Sequence, residues 1–294
     1  MAGRTVVVAL AACVLLTANL FAQRDSSGAG TPYLNAIIER FDKGLPSFHG
    51  EHWANLPSIE HDPFVYARLE KAFHDNKPEG AKKPAKYPVV RIDVEAHSEY
   101  NHLVTGLLNN GFGGIILPMV NTPHDAWRLV QSMRFPAQRI PPTPAHLRQP
   151  AGIRGWNAAR AISYWGVTQD RYLAMADVWP LNPQGELMAI AMIETPEAVD
   201  NIEQILSVPG LSAILIGQGD LSCTMGVGCG NPYHPEVEAA VAKLAAVCVK
   251  MNKLCGSYQS PPEGVCPDKV CGQAFRVKQG FRLFTSDRGN YTGP

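Results

Sequence analysis

The sequence predicts an α/β protein of the (β/α)8 (TIM) barrel class, on three observations. Short runs that read as strands alternate with helix-period segments along most of the chain. Those runs, such as "GGIILPMV" and "SAILIGQGD", are apolar throughout, as strands of a parallel sheet covered on both faces are. Charged and polar residues fall where the runs stop, at the strand ends where such barrels carry their function. About eight strand candidates suit a closed barrel better than an open sheet.

The elements follow in order. Residues 1–22, "MAGRTVVVALAACVLLTANLFA", place Arg4 before an apolar stretch and small residues after it, the layout of a signal peptide cleaved after Ala22. "LAAC" resembles a lipoprotein box but lies mid-run, and the run is short for a permanent membrane helix. The expectation is an exported chain, periplasmic or extracellular, with no stable membrane insertion after cleavage and one barrel domain over 23–294. "YLNAIIERFDKG" has helical spacing and ends at Gly44. "PSFHGEHW" and "LPSIEHDPF" are short strand candidates, "DPFVYARLEKAF" a helix and "NKPEGAKKPAKYP" a linker. "PVVRIDV" is a strand, "HLVTGLLNNG" a helix stopped by Asn110-Gly111, and "PHDAWRLVQSMRF" a helix with Pro123 in its first turn.

A Pro-rich, aromatic passage from Ala137 to Gly185 is too long for an ordinary connection. Trp156, Tyr164, Trp165 and Trp179 predict a packed excursion. "ELMAIAMIE" is then a strand and "TPEAVDNIEQILSV" a helix with Thr195 as N-cap and Pro196 at N1. "SAILIGQGD" (strand), "PEVEAAVAKLAAVCVKMN" (helix), "KLCGSY" (strand) and "FRLFTSD" (strand) complete the pattern. "GQGD" lacks G-x-G-x-x-G and a suitable following helix, so it is no dinucleotide loop.

The balance of charge narrows the partners. Lys plus Arg equals Asp plus Glu at 26 each, so no overall field favours nucleic acid. Six of the seven cysteines follow the leader, an even number that an oxidising compartment can pair; Cys266 with Cys271 is the best local bridge, and the other connectivity is unreadable. No C-x-x-C occurs, which weighs against a zinc ribbon.

Four strand ends carry chemistry. "PSIEHDPF" places Glu60 and His61, "PVVRI" places Arg91, "AIAMIET" ends in Glu194 and "AILIGQGD" in Asp220. Glu194 and Asp220 lie 26 residues apart, one βαβ unit, which sets two carboxylates side by side at one rim. Two hard-oxygen ligands without Cys or His suit Mg²⁺ or Mn²⁺. Asp220 read alone also fits a helix N-cap, and Glu194 a helix-start acid.

These residues bring the chain to a family. "GFGGIILPMVNTPHDAWRLVQSMRFP", "AGIRG", "MIETPEAVDNIEQILSVPGLSAILIGQGDLS", "HPEVEAAV" and "GFRLFTSD" resemble the HpcH/HpaI aldolases, metal-dependent enzymes related to 4-hydroxy-2-oxoheptanedioate aldolase. The resemblance covers about Pro88 to Asp287. "YWGVTQDRYLAMADVWPLNPQGE" is similar to a longer branch with an insertion that would shape the aldehyde pocket. The resemblance implies Glu194 and Asp220 as metal ligands for Mg²⁺, Mn²⁺ or Co²⁺, and Arg91 on the pyruvyl oxygen. It implies backbone amides at Gln218, Gly219 and Asp220 for the substrate carboxylate, where the family often has G-P-A-D. For the catalytic histidine, His61 in "SIEHDPF" matches better than His52 in "HGEHW".

The implied reaction is metal-dependent (class II) retro-aldol cleavage of a small 4-hydroxy-2-oxo acid to pyruvate and an aldehyde. No lysine stands at a strand end to form a Schiff base. The chain departs from the family in three places. Ser58 replaces the acid ahead of the histidine; the stretch from Gly44 to Ser58 is short for a first βα unit; and no C-terminal helix precedes Pro294, which bears on the homo-oligomer the family builds. These departures favour an alternative, a catalytically degenerate exported barrel that binds an oxo-acid or metal. A citrate-lyase-like C–C lyase ranks last, since nothing suggests a CoA site.

Overall fold

The computed structural model describes residues 33–56, 65–262, 264, 266 and 271–294. In chain order it contains α1 (Ala36–Asp42), β1 (Ser47–Phe48), β2 (Trp53–Leu56), α2 (Val65–Asn76), β3 (Tyr87–Arg91), α3 (Asn101–Asn110), β4 (Gly114–Leu117) and α4 (Pro123–Met133). A 3₁₀ turn (Ala145–Leu147), α5 (Ala159–Trp165) and α6 (Gln169–Met175) follow, then β5 (Met188–Ile193), α7 (Pro196–Asp200), α8 (Ile202–Leu206) and β6 (Leu211–Ile216). Then come α9 (Gln218–Thr224), α10 (Pro235–Met251), β7 (Leu254–Ser257), α11 (Gly272–Gln279) and β8 (Leu283–Phe284).

All eight strands are parallel, in the order β1-β8-β7-β6-β5-β4-β3-β2. An isolated parallel bridge from His49 to Trp53 brings β1 against β2 and nearly closes the barrel. The expected reduction of the first unit is visible here. β1 has two residues, and a four-residue turn with no helix leads straight into β2.

Each strand alternates between two cores, as a period of two requires. Ala189, Ala191, Ile193, Ile214 and Ile216 face outward and pack with Val104, Leu108, Leu129, Val130, Ile205, Val241 and Leu244 of the surrounding helices. Met188, Ile190, Met192, Ala213 and Leu215 face the lumen. The helices start on legible signals. Thr122 and Asp125 form a reciprocal capping box ahead of Pro123, and Thr195 caps α7 with Pro196 at its first position. Gly111 ends α3 in the left-handed region at φ 113°. The helix expected over "TPEAVDNIEQILSV" is broken at Asn201, whose side chain donates to Asn121 O instead (2.9 Å).

From Ala158 onward the long excursion is packed, at the opposite end of the barrel from that expected; before it the passage lies largely exposed, and Trp156, expected in the packing, is 52% exposed. Trp165, Tyr172, Met175 and Trp179 join the lumen core from beneath. Trp165 lies 5.9 Å from Tyr87, the first residue of β3, and the Tyr172 hydroxyl donates to Leu108 O near the end of α3. The passage "YWGVTQDRY" therefore closes the N-terminal end of the barrel and does not shape a pocket at the C-terminal rim. α1 shares that task. Its N-cap Asn35, fully buried, accepts from Ile37 N (2.9 Å) and Ile38 N (3.3 Å) and donates to Glu186 O (3.1 Å). The Tyr87 hydroxyl donates to the same carbonyl at 2.6 Å.

The expected Cys266–Cys271 bridge is formed, with Cys223–Cys229 and Cys248–Cys255 beside it, each between near neighbours in sequence. Among the described residues no helix is long and apolar enough to cross a membrane. Asn35→Ala removes a cap and leaves the Glu186 carbonyl one donor short. It should cost about 2 kcal/mol and lower Tm by roughly 4–8 °C in a thermal melt, without altering the opposite rim.

Candidate active site

The site is built where β5 and β6 end. Ile193 pairs with Ile216, so Glu194 and Gly217 leave the sheet together. Glu194 is buried at 1% exposure, because its carboxylate turns in behind the rim. Its Oε2 accepts the Met119 amide at 2.8 Å. Gly217 is required by this close approach: a Cβ there would stand 2.7 Å from Glu194 Oε1 and 2.8 Å from its Cγ.

Asp220 follows three residues later, exposed, in the first turn of α9. The N-cap of that helix is Gly217 and no side chain caps it, so Asp220 is not a cap. Instead its carboxylate faces Glu194 and takes part in a side-chain hydrogen bond with it. The helix at "GQGD" is α9, which begins inside the motif at Gln218 and has only seven residues.

The electrostatics follow from this crowding. Burial pushes the Glu194 carboxyl up to about 7; the Met119 amide and Arg91 pull it down, and Asp220 raises it further by charge and by hydrogen bonding. Arg91 ends β3, half-buried, close enough to Glu194 for its charge to act on it. Thus three of the sequence-selected residues, Arg91, Glu194 and Asp220, share one corner of the C-terminal rim. Gly219 opens onto space, with nothing within 4 Å of where a Cβ would be. The Gln218 side chain, by contrast, is fully buried and turned away toward β7.

The two histidines fare differently. His61, with Glu60 and Ser58, lies outside the described residues. His52 stands in the turn before β2, at the N-terminal end of that strand, whereas Glu194 and Asp220 follow the C-terminal ends of theirs. Its Nδ1 accepts the Phe48 amide at 3.1 Å, and burial, then Arg40, hold its imidazole below its ordinary pKa.

Three supports escaped the sequence reading. Met119 adopts φ 55°, rare for a residue with a side chain, and this left-handed turn after β4 aims its amide at Glu194. "GGIILPMV" reads as one strand, but β4 stops at Leu117, directly before Pro118, which has no N–H to give the ladder and marks the end that the reading passed over. Thr224 Oγ1 donates to Glu194 O at 2.6 Å, tying the end of α9 to the end of β5. Asn121 accepts from Thr195 (2.6 Å) and Asn201 (2.9 Å), binding the loops after β4 and β5 together.

The sequence model of the HpcH/HpaI aldolase/citrate lyase family matches residues 73–256, more than half of the chain and the whole of this corner. The chain belongs to that family. A hydroxypyruvate/pyruvate aldolase of Cupriavidus necator is 33% identical over 60% of this chain and 58% of its own length. A 4-hydroxy-2-oxo-heptane-1,7-dioate aldolase of Shigella flexneri is 38% identical over 46% of this chain and 43% of its own. The chain thus spans about half the length of the curated relatives it matches. Among solved structures, an HpcH/HpaI aldolase/citrate lyase family protein of Burkholderia cenocepacia superposes with TM-score 0.59 at 25% identity, over 86% of this chain and 84% of that one. An HpcH/HpaI aldolase of Desulfitobacterium hafniense, at 18% identity, gives TM-score 0.61 over 87% and 91% and shows the shared barrel.

The raised Glu194 pKa has a sign that can be checked. Between pH 4.5, its ordinary value, and about 7 the folded chain holds a proton that the unfolded chain has lost. Stability in EDTA therefore falls through that window as pH rises. Glu194→Gln should abolish this component and stabilise the chain above pH 7 by on the order of 1–3 kcal/mol, read from urea melts of both proteins across pH.

Proposed function

We propose that this HpcH/HpaI family member is an exported, divalent-metal-dependent carbon–carbon lyase, a class II aldolase cleaving a 4-hydroxy-2-oxo acid to pyruvate and an aldehyde. One observation carries the proposal: the buried Glu194 carboxyl pressed against Asp220 at the open end of the barrel, with Arg91 beside it. The relatives named as aldolases support the reaction class. The three disulfides suit an oxidising compartment.

The corner fits a cation. Two acids crowded so that one is driven toward its neutral form are relieved by a positive charge between them, and both offer hard oxygen. Among the described residues no third His, Cys, Asp or Glu joins them, which leaves the remaining positions to water and substrate. Mg²⁺, Mn²⁺ or Co²⁺ held by Glu194 and Asp220 would supply Lewis-acid stabilisation of enolate charge.

The chain's own residues divide the rest. His61 removes the proton of the 4-hydroxyl, a role its pKa range suits. The C3–C4 bond then breaks, the aldehyde leaves, and the electron pair passes into the 2-oxo group as the enolate of pyruvate. Arg91 donates to that oxygen as its charge grows. The first-turn amides of Gln218, Gly219 and Asp220, which have no partner within the helix, meet the substrate carboxylate. The proton that His61 took from the hydroxyl passes to C3, which completes pyruvate and restores the base.

Pyruvate release from 4-hydroxy-2-oxo acids should stop with EDTA and return with Mg²⁺, Mn²⁺ or Co²⁺. Glu194→Ala, Asp220→Ala and Arg91→Ala should each lose roughly 10²-fold or more in kcat. Activity that survives EDTA and Glu194→Ala would refute the mechanism. The two-residue β1 favours one other reading, a barrel that binds oxo-acid and metal without cleaving. Calorimetric binding of oxalate with Mn²⁺, and no turnover over hours, would select it. Mass spectrometry of the exported protein should find the chain starting after Ala22 with no alkylatable thiol.

A further inference from the structure

α9 is short and carries one of the two carboxylates, so something must fix its pitch. Seven residues without a side-chain cap do not hold a helix by themselves. The far end is tied by Thr224 to the Glu194 carbonyl. At the near end the side chain of Gln218 ties the first turn to the next strand. Gln218 Nε2 donates to Ser257 Oγ at 2.7 Å and to Gln259 O at 2.9 Å, both beyond the end of β7 or at it.

Those acceptors are themselves anchored. Gln259 O also accepts from Ser257 Oγ (2.7 Å) and from Arg276 Nε (3.2 Å). Arg276, fully buried, grips Glu238 of α10 with two hydrogen bonds of 2.9 and 2.6 Å. An unbroken run of hydrogen bonds thus leads from α10 and α11, through the end of β7, to the residue two places before Asp220.

We propose that Gln218 is a positioning residue, whose buried side chain locks the first turn of α9 to β7 and so holds Asp220 against Glu194. The proposal rests on the reading of that pair as a cation site. The chemistry of position 218 favours this over a packing role. Gln218 Oε1 is buried with no hydrogen-bond partner among the described residues, a cost that an apolar side chain would not incur. Only the donating end of the amide is used, and it is aimed at two acceptors. A carboxylate there would face them with no proton to give. An amide retained despite an unsatisfied oxygen is doing positional service that packing alone would not ask for.

The test uses the full mature chain with Gln218→Leu, and Ser257→Ala as a second variant. Mn²⁺ binding is followed by its electron paramagnetic resonance signal, and amide hydrogen exchange is read over residues 218–224. Gln218→Leu should melt no lower than wild type, yet bind Mn²⁺ about tenfold more weakly or worse, with a changed line shape. Exchange in α9 should rise while that in α10 does not. Ser257→Ala should reproduce part of both effects and add nothing to Gln218→Leu. Unchanged Mn²⁺ affinity in Gln218→Leu overturns the proposal while leaving the cation site standing. If wild type takes up no Mn²⁺, the cation reading fails instead, and exchange decides the lock: faster exchange confined to α9 supports it, unchanged exchange overturns it. Should Gln218→Leu not fold, Ser257→Ala decides by the same two readouts.

Discussion

The site depends on one costly contact: two carboxyl groups brought together where one of them has lost its water. A buried carboxylate beside another acid is unfavourable in isolation, and the surroundings of Glu194 show what keeps it there. Gly217 removes the Cβ that would block it, Met119 bends into a left-handed turn to offer an amide, and Arg91 brings opposing charge. None of these elements has a better reason to be as it is. The glycine gives up a side chain just past the end of β6, and the methionine turn stores strain. Both serve the same carboxylate.

The barrel makes such a contact affordable by separating the place where stability is generated from the place where it is spent. The outer core joins strands to helices, and the lumen core is sealed from beneath by α1 and by the aromatic excursion of α5 and α6. Trp165, Tyr172 and Trp179 fill the N-terminal end of the barrel, which leaves the C-terminal end to polar groups. The part of the excursion from Ala158 to Trp179 is therefore a stabilising plug.

Much of this was legible in the sequence, for physical reasons that also mark the limits. Continuous apolar runs announce buried parallel strands, and a carboxylate directly after such a run has few places to go, so Glu194 and Asp220 could be paired from spacing alone. Thr195-Pro196 and Pro123 gave helix starts, because capping chemistry is local. The Met119 turn was half legible: Pro118 marks the end of the strand, but an apolar residue carries no sign of the positive φ that follows. The direction of the excursion was not either: aromatic residues predict packing, but which end of a barrel they pack against is a tertiary fact. Gln218 was read through its backbone amide, and its side chain proved to face the neighbouring strand.

The shortened first unit, a departure from the family, supplies none of the contacts described at the carboxylate pair. Every contact that holds the carboxylate pair comes from β3 to β7: Arg91 from β3, Met119 after β4, Glu194 from β5, α9 after β6, and Ser257 and Gln259 at β7. The shortened β1 and the turn that leads from it into β2 lie outside that set. Shortening the first unit therefore leaves the carboxylate corner structurally whole: the pair, its amide donor and its guanidinium neighbour keep their places because the strands that deliver them are paired to one another and not to β1.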